Sequence, residues 1–180
     1  MNAWDRVRTV LSGKVPDAVP RALYDVAIDH YNDSTLALFR EHRGCHPRDC
    51  FRQDLRGIRC PAPSEADPAA AGVLRDMNTV DQCRAAMARW RPPPPDRGAL
   101  RQRVEACHAA GYPAVVVGSI SDFETPFSLR GREQFFCDLA EEPEWLPFFL
   151  DALADAVADQ ARAAASAGAD LFGIGDDLGS

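Results

Sequence analysis

The run AVVVGSI, residues 114–120, constrains the fold of this chain more than any other stretch. It is apolar and largely β-branched with no polar alternation, the pattern of a strand buried on both faces, so helices or a closed barrel must cover it on both sides. A helix signal precedes it, with Asp96 as N-cap, Leu100, Val104 and Cys107 as an apolar stripe, and Gly111 as the stop. Farther on, a helix with Pro143 in its first turn runs to Gly168, and ADLFGIGDD then repeats the apolar-strand pattern over 169–175. At ~1.5 Å per residue this helix spans roughly 37 Å. Helix, glycine, apolar strand and acidic loop, in recurrence, spell parallel βα units.

The remaining elements are read by the same rules. Residues Ala3 to Leu11 set Trp4, Val7, Val10 and Leu11 on one helical face, and Gly13 ends the helix. VPRALYDV suits a strand over 19–26. Ser34 as N-cap, Leu36, Leu38 and Phe39 as core and Gly44 as stop define a helix over 34–42, and CFRQDLRGI gives an extended segment ending near Asp54. A Pro/Ala-rich excursion at about 60–95 carries one short helix from Val80 to Trp90. A loop, SDFETPFS, then leads to a helix from about Leu129 to Leu139. Four strands, at about 19–26, 50–55, 114–120 and 169–175, make an α/β chain of the (βα)8 TIM-barrel type, reduced to its first four or so βα units. The expectation is one domain over 1–180, a half barrel whose last strand leaves an unpaired edge. Such an edge calls for a missing C-terminal half or for pairing with another chain, for instance as a homodimer.

Composition narrows the function. With 180 residues, 46% hydrophobic and 26% charged, the chain is globular in type. Acidic residues outnumber basic ones 27 to 20, a net charge of −7, so the electrostatic footprint of a nucleic-acid binder is missing. The longest mostly apolar stretch, Trp145 to Ala169, is interrupted by Asp151, Asp155, Asp159 and Arg162, which argues against a membrane span. Charges at Asp5, Arg6 and Arg8 with no apolar block behind them argue against a secretory signal, so a cytoplasmic location is expected. Six cysteines, Cys45, Cys50, Cys60, Cys83, Cys107 and Cys137, show no C-x-x-C pair and read as free thiols.

Parallel βα folds place ligands at the C-terminal ends of their strands. The polar residues expected on that rim are Asp25, Asp29, His30, Asp54, Asp122, Glu124, Asp176 and Asp177. The plainer alternative is that an Asp after a strand caps the next helix. Asp176 and Asp177 are the sharpest pair, yet one dipeptide supplies too few oxygens for a hard cation. Cys45, His46, Cys50 and Cys60 offer zinc-type ligands in a spacing that fits no closed site, so no metal is expected within this stretch. His108 reads as structural. Arg40, Arg43, Arg48, Arg52, Arg56 and Arg59 form a run that either meets ligand carboxylates or is a solvated face. Glycine-rich nucleotide loops and a G-x-S-x-G elbow are absent.

With these motifs placed, the chain resembles the uroporphyrinogen decarboxylase superfamily, which also contains corrinoid-linked methyltransferases of the methanol and methylamine type. NAWDRVRTVLSGKVPDAVP is similar to that family's N-x-x-x-R-x-x-x-x-L-x-G-x-x-P-D-x-V-P start, and FREHRG and DLRGI come after it. FETPFSLRGREQFFCDLAEEPEWL and GADLFGIGDDLGS resemble its later block. The resemblance implies an eight-stranded barrel about twice this length, binding tetrapyrroles, corrinoid proteins or small methylated substrates at the strand-end cleft. It implies a catalytic role for Asp54, as a carboxylate stabilising a cationic intermediate, while His30, Asp25, Glu124, Asp176, Asp177 and Arg52 would line the ligand. Where the decarboxylases carry M-R-Q-A-G-R-Y, this chain reads ALYDVAIDHYND, and an acidic rim repels a polyanionic porphyrinogen. Methyl transfer is therefore the favoured chemistry and tetrapyrrole decarboxylation the alternative, with a non-catalytic half barrel as a third reading. The decarboxylases work without a cofactor. The resemblance implies no resident cofactor within this half: zinc and corrinoid belong to a full-length methyltransferase, with the zinc ligands beyond Ser180 and the corrinoid meeting the strand-end cleft on a partner protein.

Overall fold

The computed structural model describes residues 1–21, 33–44, 53–60, 74–90, 95–121 and 123–175. Among them are helices α1 (Ala3–Leu11), α2 (Asp33–Arg43), α3 (Val80–Trp90), α4 (Arg97–Ala109), α5 (Glu124–Arg130), α6 (Arg132–Glu141) and α7 (Leu146–Ala167). Three strands accompany them: β1 (Arg56–Arg59), β2 (Ala114–Val117) and β3 (Leu171–Gly173). The strands form one parallel sheet in the order β1-β2-β3, with Ile58 opposite Val116 and Val116 opposite Phe172. The chain is thus a mixed α/β protein whose described strands are all parallel.

Two compact units can be distinguished. The first comprises Met1–Arg59, Asp96–Val117 and Ala164–Gly173, and so holds the whole sheet with α1, α2, α4 and the last turn of α7. Its core is built on Ile58, Leu100, Val104, Ala114 and Val116, each at most 5% exposed. The second comprises Cys60–Pro95, Gly118–Ala163 and Ile174–Ser180, with α3, α5, α6 and most of α7. Phe135, Phe149, Leu74, Leu129 and Leu153 are among its fully buried side chains, and Phe135 meets Phe149 edge to face at 6.2 Å.

Local chemistry explains most boundaries. Asn2 caps α1 by accepting from the Asp5 N–H at 2.8 Å, and Asp96 caps α4 by accepting from Gly98 and Ala99. Gly13, Gly44, Gly111 and Gly168 each follow a helix with positive φ, the left-handed turn that closes a helical end at no steric cost. α6 ends instead on Glu142 at φ 49°, where a side chain occupies the glycine-type conformation.

Several expectations are corrected. Gln53 to Leu55 are not in a strand, and the rest of the one expected over 50–55 lies outside the described residues; β1 is found at 56–59, so Asp54 precedes it. Val19 to Arg21 are not in a strand, and the rest of the one expected over 19–26 lies outside the described residues. SDFETPFS is largely helical: α5 begins at Glu124, held by a reciprocal pair in which Thr125 N–H donates to Ser121 Oγ and Ser121 N–H donates to Thr125 Oγ1. α2 starts at Asp33, which places Ser34 inside its first turn, and Leu38 is 53% exposed rather than core. Val10 and Leu11 are also exposed, leaving Val7 as the buried residue of α1. The long helix starts at Leu146, after Pro143, and its 22 residues span about 33 Å. The run 114–117 is largely buried as anticipated, but all of β3 is only half-buried. No described helix is long and apolar enough to cross a membrane.

Candidate functional site

In a parallel sheet the two ends of the strands differ in chemical use, so position along the strand decides what each acidic residue can do. Asp54 lies two residues before β1, at the N-terminal end of the sheet. Its carboxylate is already engaged: Oδ1 accepts from Arg6 Nη1 at 3.0 Å and Oδ2 from the Arg21 N–H at 2.9 Å. The Asp54 N–H in turn donates to the Arg21 carbonyl at 2.9 Å. Arg6 also donates from Nε to Asp17 at 2.8 Å, so one guanidinium joins two carboxylates. The Arg6 hydrogen bond holds Asp17 down to about 2, and the two carboxylates hold the Arg6 guanidinium above its ordinary value.

The same end of the sheet carries a second anchor. Asp170, just before β3, accepts from His108 Nε2 at 2.8 Å and from the Ala114 N–H at 2.9 Å through one oxygen, while its own N–H donates to the Ala114 carbonyl. Trp4 packs edge-on against the His108 ring at 5.3 Å. Arg56 lies over the Tyr112 ring at 3.7 Å and donates to the Gln53 carbonyl at 3.1 Å. His108 is structural in this setting, as expected from its place on the helix. These groups tie strand starts to helices. Their chemistry is that of a scaffold, because parallel βα proteins carry ligands at the other end.

Of the residues expected on the C-terminal rim, Glu124 is described: it is the first residue of α5, exposed, where a carboxylate favours the helix start. Asp25, Asp29, His30, Arg52, Asp122, Asp176 and Asp177 lie outside the described residues, as do Cys45, His46 and Cys50. Among the described residues, no group of three or more His, Cys, Asp or Glu is placed to hold a metal. The loop after β2 is gripped by a clamp that motif reading did not disclose. Gln160, on α7 and 3% exposed, accepts from the Ser119 N–H at 3.0 Å and donates to Ser119 Oγ at 2.8 Å. Both functions of the amide are used to hold this loop, and a lone Gln on a long helix carries no sequence signal for such a role.

The second unit contains a buried ion pair that was likewise invisible to motif reading. Arg130 donates to Asp138 from Nε at 2.6 Å and from Nη2 at 3.1 Å, and its Nη1 reaches the carbonyls of Leu74, Arg75 and Met77. Gln134 adds a bond to Asp138, and Trp145 lies 5.0 Å from the guanidinium. The arginine thereby pins residues 74–77 to α5 and α6, a role in which it cannot also grip a ligand.

No protein-family model, curated protein or solved structure matches this chain.

Proposed function

We propose that the chain forms the first βα units of a (βα)8 barrel of the uroporphyrinogen decarboxylase type, serving methyl transfer to or from a corrinoid. The observation that carries this reading is the order of the sheet: the described strands lie side by side in chain order, all parallel, with no reversal. A barrel is wound in this way. The motif order along the sequence supports the same reading. Methyl transfer is preferred to decarboxylation because ALYDVAIDHYND stands where an arginine-bearing segment would meet substrate carboxylates.

Within this reading Asp54 serves the fold. Its pairing with Arg6 and Arg21 at the N-terminal end of β1 leaves it on the stability face, so the catalytic role implied by the resemblance is not supported by its placement. The ligand-lining role stays with the candidates Asp25, His30, Glu124, Asp176, Asp177 and Arg52.

The test is a comparison of ligands by equilibrium dialysis against the purified chain. Binding of hydroxocobalamin with no retention of uroporphyrin is the expected result. Retention of uroporphyrin alone, or CO2 release from its porphyrinogen, would replace methyl transfer by decarboxylation, and binding of neither would remove the ligand assignment.

A second reading, a non-catalytic half barrel completed by a further strand, is favoured by β3. Leu171 and Phe172 are only half-buried, and Ile174 is 47% exposed. Apolar side chains on a strand at the edge of a sheet invite pairing. A concentration-dependent dimer in analytical ultracentrifugation supports this reading, and a monomer throughout removes self-pairing.

A further inference from the structure

We propose that the segment Arg8–Arg21 is a docking surface for a second copy of this chain, seated on the acidic face of that copy's α7. This goes beyond the barrel reading and does not depend on it.

Exposed apolar surface is not scattered evenly over the molecule. Of the nine large apolar side chains exposed among the described residues, Val10, Leu11, Val15 and Val19 lie within ten positions, and Val15 is 92% and Val19 80% exposed. A single exposed valine is ordinary, whereas a concentration of this kind marks a contact surface. The segment is held in place on both sides of its turn. The Lys14 N–H donates to the Thr9 carbonyl at 3.0 Å across Gly13, which sits at φ 73°, and Arg6 Nε donates to Asp17 at 2.8 Å. Its shape is therefore set before a second copy arrives, which lowers the ordering cost of contact.

Charge selects the occupant. In a chain of net charge −7 this segment is basic: Arg8, Lys14 and Arg21 are exposed, and its one acid, Asp17, is already paired with Arg6 and the N-terminal amine. The same segment of another copy is thus repelled. α7 offers the complement. Phe148, Asp151, Ala152 and Asp155 stand at i, i+3, i+4 and i+7 and share one helical face, on which Phe148 and both carboxylates are exposed. Neither Asp151 nor Asp155 has a hydrogen-bond or ion-pair partner among the described residues. Like charges four positions apart on a helix repel, and an ammonium set between them relieves that repulsion. Arg84 lies over the Phe148 ring at 4.7 Å and steadies it. In the contact, Leu11 and Val15 meet Phe148 and Ala152 while Lys14 meets the two carboxylates. Apolar burial supplies affinity, and the charges fix the register.

Lys14 is the only lysine in the chain, so a zero-length carbodiimide cross-link reads its neighbour directly. In an equal mixture of heavy-isotope-labelled and unlabelled full chain, peptides joining Lys14 to Asp151 or Asp155 and carrying one label each are expected. Sedimentation should show a mass that rises with concentration. Lys14→Glu should weaken that association about tenfold and leave the thermal melt unchanged, since Lys14 is exposed. Adding Asp151→Lys and Asp155→Lys to the Lys14→Glu chain should restore the association, because every charge in the contact is then reversed. A monomer at every concentration, an association that Lys14→Glu leaves intact, as pairing through β3 would give, a charge-reversed chain that stays monomeric, or cross-links confined to one label would each overturn the proposal.

Discussion

Arg130 and Asp138 form a forked ion pair in which both residues are at most 3% exposed, although they lie on different helices separated by Gly131. The guanidinium is further satisfied by three backbone carbonyls from residues 74–77. Removing one partner of such a pair leaves the other buried and uncompensated, which is far costlier than never having had the pair.

Asp138→Ala should therefore destabilise the chain by about 3–5 kcal/mol. Replacing both residues together, as Arg130→Met with Asp138→Leu, should recover a large part of that loss, although the carbonyls of 74–77 then lose their donor. Urea titrations of the two single variants and the double variant measure it. Additive losses would show that the pair is not coupled.

Asp54→Ala should lower stability by about 1–3 kcal/mol, because the Arg21 N–H and Arg6 lose a shared acceptor. Arg6→Ala should cost less in the Asp54→Ala background than alone, since the two act on one contact. An Asp54→Asn chain whose melt is unchanged would argue that the N-terminal network is dispensable.

Acid should release the Asp17 anchor in a defined window. Its folded-state value is lowered to about 2, principally by the Arg6 hydrogen bond, so its contribution is complete above its ordinary value near 3.8 and is lost as pH falls toward 2. Asp17→Asn should differ most from the parent at neutral pH, and the gap should close over that interval. Denaturation midpoints at a series of pH values test the sign.

Thiol reactivity should separate cleanly. Cys83 is fully buried, and burial pushes its thiol above the ordinary value, so the nucleophilic thiolate is scarce. Cys137 is exposed. Peptide-resolved alkylation of the native chain should label Cys137 early and Cys83 only when unfolding exposes it.

Glu142→Gly should stabilise the end of α6 by about 1 kcal/mol, because a β-carbon at φ 49° is disfavoured and glycine removes it. A lower melting temperature for this variant would show that the Glu142 side chain contributes more than its backbone strain removes.

Helices were readable because their cause is local. Val80–Trp90 coincides with the reading from the sequence, and the helix anticipated after Asp96 is found at Arg97–Ala109, its stripe supplying Leu100 and Val104 to the core. The buried character of 114–117 was equally legible, since a run of valines with no polar alternation suits a strand covered on both faces. The β1 boundary was not: CFRQDLRGI reads as an extended segment ending near Asp54, and the pairing of Arg56 with Ala114 places the strand at 56–59.

The candidate site was less legible than the fold, for a physical reason. Asp54, the catalytic candidate read along the chain, converges with Arg6 and Asp17 in one ion cluster at the N-terminal end of β1. Residue type and spacing specify periodicity, caps and stops, because those interactions reach only a few positions. Which end of a strand a carboxylate occupies, and whether an arginine meets a ligand or a backbone carbonyl from a distant segment, depends on contacts made only when remote parts of the chain close together. Gln160 with Ser119 and Arg130 with Leu74 are such contacts. Local sequence thus determined the helices and the apolar strand at 114–117, and the tertiary structure decided which polar groups became scaffold.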